Sequence, residues 1–169
     1  MALDFLHKRG VGFSGMTFGV MEGVLAVTSV LVGLGTVANK ETVFIAMIIV
    51  GTADAMGNAA GIRVSQETVV HTEKKQIFLS MLLAFLSTFI VTLILVLPVM
   101  FLDIIAAIIV SLLIGILFMV GLGVFVGTRR KYDSGEMFRL IAEYIITAMI
   151  IVGISYTLGL IFTNPWVAL

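Results

Sequence analysis

The stretch Ile77 to Val126, IFLSMLLAFLSTFIVTLILVLPVMFLDIIAAIIVSLLIGILFMVGLGVFV, holds fifty residues and a single charge, Asp103. As one helix it would run roughly 75 Å at 1.5 Å per residue, against a hydrocarbon layer of about 30 Å. The run therefore has to fold back on itself. Pro98 and Asp103 mark the place, because proline interrupts a helix and a carboxylate favours water. Two membrane spans follow, 77–97 and 104–126. The rest of the chain reads the same way: 13–37 ends at the polar turn Asn39-Lys40-Glu41, 43–64 ends at Ser65-Gln66-Glu67, and 137–162 follows the basic loop Arg129-Arg130-Lys131. The reading is an all-α integral membrane protein, one transmembrane domain of five helices.

Composition agrees. Of 169 residues, 60% are hydrophobic and 12% charged, about half the charge of an ordinary soluble domain. A water-soluble fold of this size could not bury so much apolar surface, which excludes a cytosolic enzyme and a nucleic-acid-binding chain. There is no cysteine, hence no disulfide, thiolate metal site or thiol nucleophile. Both histidines, His7 and His71, lie outside the spans, and no phosphate-binding glycine loop is present. Enzymatic chemistry and ATP-driven pumping therefore lack their usual residues, and the reading is a non-enzymatic channel or secondary transporter without a cofactor.

Nine of the ten basic residues fall before span one, between spans two and three, or around the loop between spans four and five; only Lys40 lies on the other side. The positive-inside rule then predicts a cytoplasmic N-terminus, an outside C-terminus and residence in the cell membrane. Trp166, beyond span five, suits an interfacial anchor.

Two carboxylates stand where lipid is costly for them. Glu22 and Asp54 each lie about ten residues from the cytoplasmic end of their span, so both come near the midplane. On span one, Gly15, Gly19, Glu22, Ala26, Ser29 and Gly33 share an arc of about 80° at 100° per residue. On span two, Gly51, Asp54, Asn58, Gly61 and Ser65 form a similar arc, extended by Met47. Small residues let helix backbones approach closely, so Gly15, Gly19, Gly33, Gly51 and Gly61 are read as packing positions and the acids as pointing at another helix or a cavity.

Oxygen donors suit hard and borderline divalent cations. Glu22, Asp54 and the amide of Asn58 are thus candidate metal ligands, with protons competing for the carboxylates. Glu143, about two turns into span five with Thr147 on its face, is a candidate entry ligand, although an acid there also suits the helix dipole. Glu67 and His71, four residues apart on a possible extension of span two, could hold a metal with Glu73, or form a solvated face. Asp103 and Ser134 read as N-caps of spans four and five, and Gly123 and Gly127 as packing.

The stretch Met21-Glu22-Gly23-Val24-Leu25, followed by Thr28-Ser29-Val30-Leu31-Val32-Gly33, resembles the first helix of vacuolar iron transporters, where an Asp-Gly pair precedes a Ser/Thr-containing apolar run ending in glycine. Ala59-Ala60-Gly61 with Val64-Ser65-Gln66 is similar to that family's Met-Ala-Ala-Gly-Glu-Tyr-(Val/Leu)-Ser segment. The resemblance covers spans one and two. It implies a homodimer that exchanges Fe²⁺ or Mn²⁺ for protons, exporting metal from the cytosol through a pathway between subunits lined by the first two helices. By position, Glu22 stands at the family's pathway Asp, Asn58 at its Met and Ile62 at its Glu. Asp54 has no counterpart, and the glutamate-rich cytoplasmic domain of many members is absent. Three other readings remain: a proton-coupled exporter of organic cations, for which Phe18 would supply an aromatic wall; a passive cation channel; and a non-transporting scaffold protein of the membrane.

Overall fold

The computed structural model describes residues 2–68 and 73–163, with side chains from Phe13 to Phe162. Five helices follow in order: α1 (Ala2–Gly35), α2 (Lys40–Glu67), α3 (Lys74–Phe101), α4 (Ile104–Arg130) and α5 (Ser134–Thr163). No strand occurs among the described residues. Each helix contains a stretch long and apolar enough to cross a membrane. Helices satisfy their own backbone hydrogen bonds where lipid offers none, so the apolar runs have no open alternative. His71 and Trp166 lie outside the described residues.

The helices extend beyond most expected boundaries, and the caps explain how they stop. α1 ends two residues before the expected Val37; the amides of Val37 and Ala38 turn back onto the Leu34 carbonyl at 3.0 and 2.8 Å. Asn39 then caps α2, its Oδ1 accepting from the Thr42 amide at 2.9 Å. Pro98 was expected to end span three, yet it sits inside the last turn of α3 and is buried. Its carbonyl still accepts from the Leu102 amide at 2.9 Å. A proline lacks only its own donor, so the helix runs on to Phe101.

Of the two expected caps, Asp103 keeps its place without its hydrogen bond and Ser134 is corrected. Asp103 occupies the N-cap position of α4, but its side chain makes no capping hydrogen bond. Ser134 is the first residue of α5, not its cap. That role falls to Asp133, whose Oδ1 accepts from the Glu136 amide at 2.7 Å while Glu136 Oε2 accepts from the Asp133 amide at 3.3 Å. The pair is a reciprocal capping box. α4 closes through Lys131, which takes the left-handed conformation at φ 57°.

Successive helices run back and forth. Lys40 at the start of α2 donates to the Met100 carbonyl near the end of α3 at 3.2 Å, so the α1–α2 and α3–α4 turns share one end of the bundle. At the other end, Arg129 of α4 lies 4.0 Å from the ring centre of Phe13 of α1, and Gln66 of α2 donates to Ser80 of α3 at 3.0 Å.

α1 and α3 form the centre. α2 packs on both, α4 joins them, and α5 lies against α1 and α4. Val24, Val27 and Leu31 meet Val43 and Met47 of α2, Val91, Leu95 and Val99 of α3, and Met119 of α4 in one core. Met47, which shares the Asp54 face in sequence, is wholly buried there and serves as packing. Ser111 Oγ ties α4 to α3 by donating to the Leu95 carbonyl at 2.9 Å.

Along α3, Ser80, Ala84, Thr88 and Thr92 recur every fourth residue, and all four are buried. This stripe receives the glycines. A side chain on Gly15 would strike the Ser80 backbone, one on Gly19 would strike Ala84, Ser87 and Thr88, and one on Gly51 would strike Thr92. Gly33 packs on Ser155, Gly123 on Ile141 and Gly127 on Met137. Gly61 departs from expectation: it is exposed, and a side chain there would meet nothing within 4 Å.

Gly19→Ala should lower the thermal stability of the detergent-solubilised protein by about 1–3 kcal/mol through overpacking. Gly121→Ala, with open space around it, should leave it equal or higher, since alanine favours the helix. Thermal melting of both variants checks the pair.

Candidate cation site

Glu22 and Asp54 stand at one level on adjacent helices of the same chain. α1 and α2 pack side by side, the Asn58–Thr88–Gly19 hydrogen bonds described below sit one turn from both acids, and both are partly buried. No cationic side chain pairs with either among the described residues. The nearest arginines on α2 and α5 are engaged elsewhere, in the exposed pairs Arg63–Glu67 at 2.9 Å and Arg139–Glu143 at 3.0 Å. Two like charges without a counter-ion in a low-dielectric medium repel strongly.

One turn from Asp54, buried Asn58 organises the site. Its Nδ2 donates to Asp54 Oδ2 at 3.2 Å and to Thr88 Oγ1 of α3 at 3.2 Å. Thr88 Oγ1 in turn donates to the Gly19 carbonyl of α1 at 2.9 Å. The network thus links three helices next to the acids. A primary amide has two N–H donors. Both of Asn58's are used, and its oxygen remains as an acceptor. The arrangement holds Asp54 by one carboxylate oxygen and leaves the other for a ligand.

Thr88 was not singled out in the sequence. Membrane-helix threonines commonly bond back to a carbonyl one turn earlier, as Thr17, Thr28, Thr92, Thr147 and Thr157 do here. Thr88 instead reaches across to Gly19. The available signal was its place in the four-residue repeat Ser80, Ala84, Thr88, Thr92, a small polar stripe on an otherwise bulky apolar helix.

The remaining candidates lie elsewhere. Glu143 is on the exposed side of α5, paired with Arg139, and α5 packs against α1 and α4, not α2. Its carboxylate is engaged by a neighbour on its own helix, and it lines a small polar depression with Tyr132, Glu136, Arg139 and Leu140. Glu67 pairs with Arg63, and α2 ends there with Thr68 as its C-cap; its expected partner His71 lies outside the described residues. Glu73 is the N-cap residue of α3, without a side-chain capping bond. Among the described residues, no three acidic or histidine side chains gather into a metal-sized cluster.

The two acids and the Asn58 amide therefore offer part of a coordination sphere. Hard divalent cations take six or more oxygens. Beside the site, α2 presents Ala53, Met56, Gly57, Ala60, Gly61 and Val64 as an exposed face. A Cβ added at Gly57 or Gly61 would stand in open space, with nothing within 4 Å, and Phe18 is exposed one turn from Glu22.

Comparison with family models, with curated protein sequences and with solved structures gives no match.

Thr88→Val removes both the acceptor for Asn58 and the donor to Gly19 while keeping the shape. It should cost about 1–3 kcal/mol in thermal unfolding, with Thr88→Ser recovering most of the loss.

Proposed function

We propose that this protein is a secondary transporter of the cell membrane that moves a divalent cation of the Fe²⁺ or Mn²⁺ type out of the cytosol in exchange for protons. The observation that carries the reading is the pair Glu22–Asp54: two carboxylates in neighbouring membrane-spanning helices, Asp54 held by the Asn58–Thr88–Gly19 network and neither paired with a cationic side chain among the described residues. Such a pair is costly in lipid unless something positive visits it. A divalent cation or two protons satisfy the same charge, and mutually exclusive occupancy by the two is the physical basis of exchange. The resemblance of the Glu22 and Gly61 segments to vacuolar iron transporters supports the same reading.

The functional unit in this proposal is a homodimer. One chain supplies two carboxylates and one amide oxygen; a second copy related by a twofold axis would double that set. The exposed small residues of α2, Ala53, Gly57 and Gly61, allow backbones to approach closely in lipid, and they border the open side of the acid pair. Asn58 in place of a thioether, with Asp54 added, makes the donor set all oxygen, which favours Mn²⁺ and comparably hard ions over soft ones. The N-terminus is cytoplasmic in this reading, as the basic residues require.

In proteoliposomes, Glu22→Gln and Asp54→Asn should each reduce proton-coupled Mn²⁺ flux to background; wild-type rates in both variants would exclude the site. A passive channel would conduct without dependence on the pH gradient. Dimerisation has a separate test. Because the chain has no cysteine, Gly57→Cys introduces one thiol, and mild oxidation in membranes should give a disulfide-linked dimer on a denaturing gel, whereas an equivalent cysteine at the exposed position Leu117 should not.

A further inference from the structure

We propose that α5 is the gate closing the pathway on the side of the α1–α2 turn, and that Ser29 is the last polar station beneath it. This rests on the transport reading above and extends it from the acid pair to its exit. Ser29 follows Glu22 by seven residues, which returns to within about 20° of the same face and advances about 10 Å along α1. Its hydroxyl oxygen is buried and has no hydrogen-bond partner. Most hydroxyls of these helices bond back to a carbonyl one turn earlier; Thr28, the adjacent residue, does so. An unsatisfied buried hydroxyl in a membrane helix is costly and calls for an explanation. A cargo cation or its water, passing from Glu22, is a partner of the right chemistry.

One turn beyond Ser29 the face is shut. Gly33 of α1 lies against the backbone of Ser155 on α5, and Gly159, buried, lies against the Gly33 carbonyl and the Thr36 hydroxyl. The hydroxyls at this crossing bond within their own helices: Ser155 Oγ donates to the Ile151 carbonyl at 3.0 Å and Thr36 Oγ1 to the Gly33 carbonyl at 2.8 Å. Space for movement exists alongside: along part of the contact an apolar cavity of about 440 Å³ opens between α5, α1 and α4, bordered by Val24, Thr28, Val32, Gly115, Met149 and Val152. α5 is also the least buried of the five helices. Closed at Gly33 and open at the cavity, the helix has somewhere to go.

The geometry supplies its own test. A Cβ at Gly33 would stand 3.7 Å from that of Ser155, within the roughly 3.5–4.5 Å of a disulfide, and no native cysteine competes. In proteoliposomes, oxidised Gly33→Cys/Ser155→Cys should transport Mn²⁺ at least about ten-fold more slowly than its reduced form, with dithiothreitol restoring the rate. Mn²⁺ should still raise the melting temperature of the oxidised protein, because locking the exit leaves Glu22 and Asp54 able to load. Equal rates with and without the disulfide would overturn the gate. Absence of Mn²⁺-dependent stabilisation in the wild type would instead remove the transport reading, and the gate with it. Ser29→Cys gives a second measurement independent of the locked pair. A membrane-impermeant methanethiosulfonate added on the side of the α1–α2 turn should modify it faster during Mn²⁺ turnover than at rest; a rate that does not change with turnover overturns the proposal.

Discussion

The close approach of α1 and α2 to the small stripe of α3 is the contact on which the arrangement depends. Gly15, Gly19 and Gly51 lie against Ser80, Ala84, Thr88 and Thr92 so tightly that any side chain on those glycines would collide. In water, apolar helices associate because water is expelled. In lipid that drive is absent, and association relies on dispersion, close backbone contact and a few interhelical hydrogen bonds. The stripe supplies all three. It also sets the depth and rotation of α1 and α2 relative to each other, and so brings Glu22 next to Asp54.

The same contact explains why the site is polar on one side and unfinished on the other. Toward α3, the Asn58 amide, the Thr88 hydroxyl and the Gly19 carbonyl form a satisfied chain. Away from α3, the small residues of α2 are exposed, and no described helix of this chain covers them. A hydrogen-bonded wall holds Asp54 on one side, while the other side of α2 stays open. The two halves of the molecule differ in the same sense: α1, α2 and α3 interlock through small residues, whereas α5 lies against α1 and α4 with an apolar cavity along part of the contact.

Much of this was legible in the residues. The five spans follow from the length of apolar runs against the thickness of a bilayer, and all five lie within the observed helices except for the last two residues of the first. The acid pair was legible because charge in a membrane segment is rare and both acids fall at one depth. Thr88 was not, because a threonine that crosses to another helix looks the same in sequence as one that bonds back to its own. Glu143 was a plausible ligand on its own helix, but which helices become neighbours is a tertiary matter, and α5 settles against α1 and α4. The capping of α5 by Asp133 in place of Ser134 turned on a one-residue shift that composition does not resolve.

What the sequence determined by itself is the number and placement of the membrane helices and the presence of two uncompensated carboxylates near the middle of two of them. The physical reason is that hydrocarbon acts on each segment separately, admitting long apolar helices and penalising charge wherever it occurs. What only the tertiary structure decided is which side chains meet: that Glu22 and Asp54 stand at one level on adjacent helices, that Asn58 and Thr88 tie Asp54 to Gly19, that Gly33 is seated under α5 and Gly61 is left bare. Those outcomes depend on the rotation and crossing of one helix on another, governed by steric fit at a handful of glycines, and no single segment contains that information.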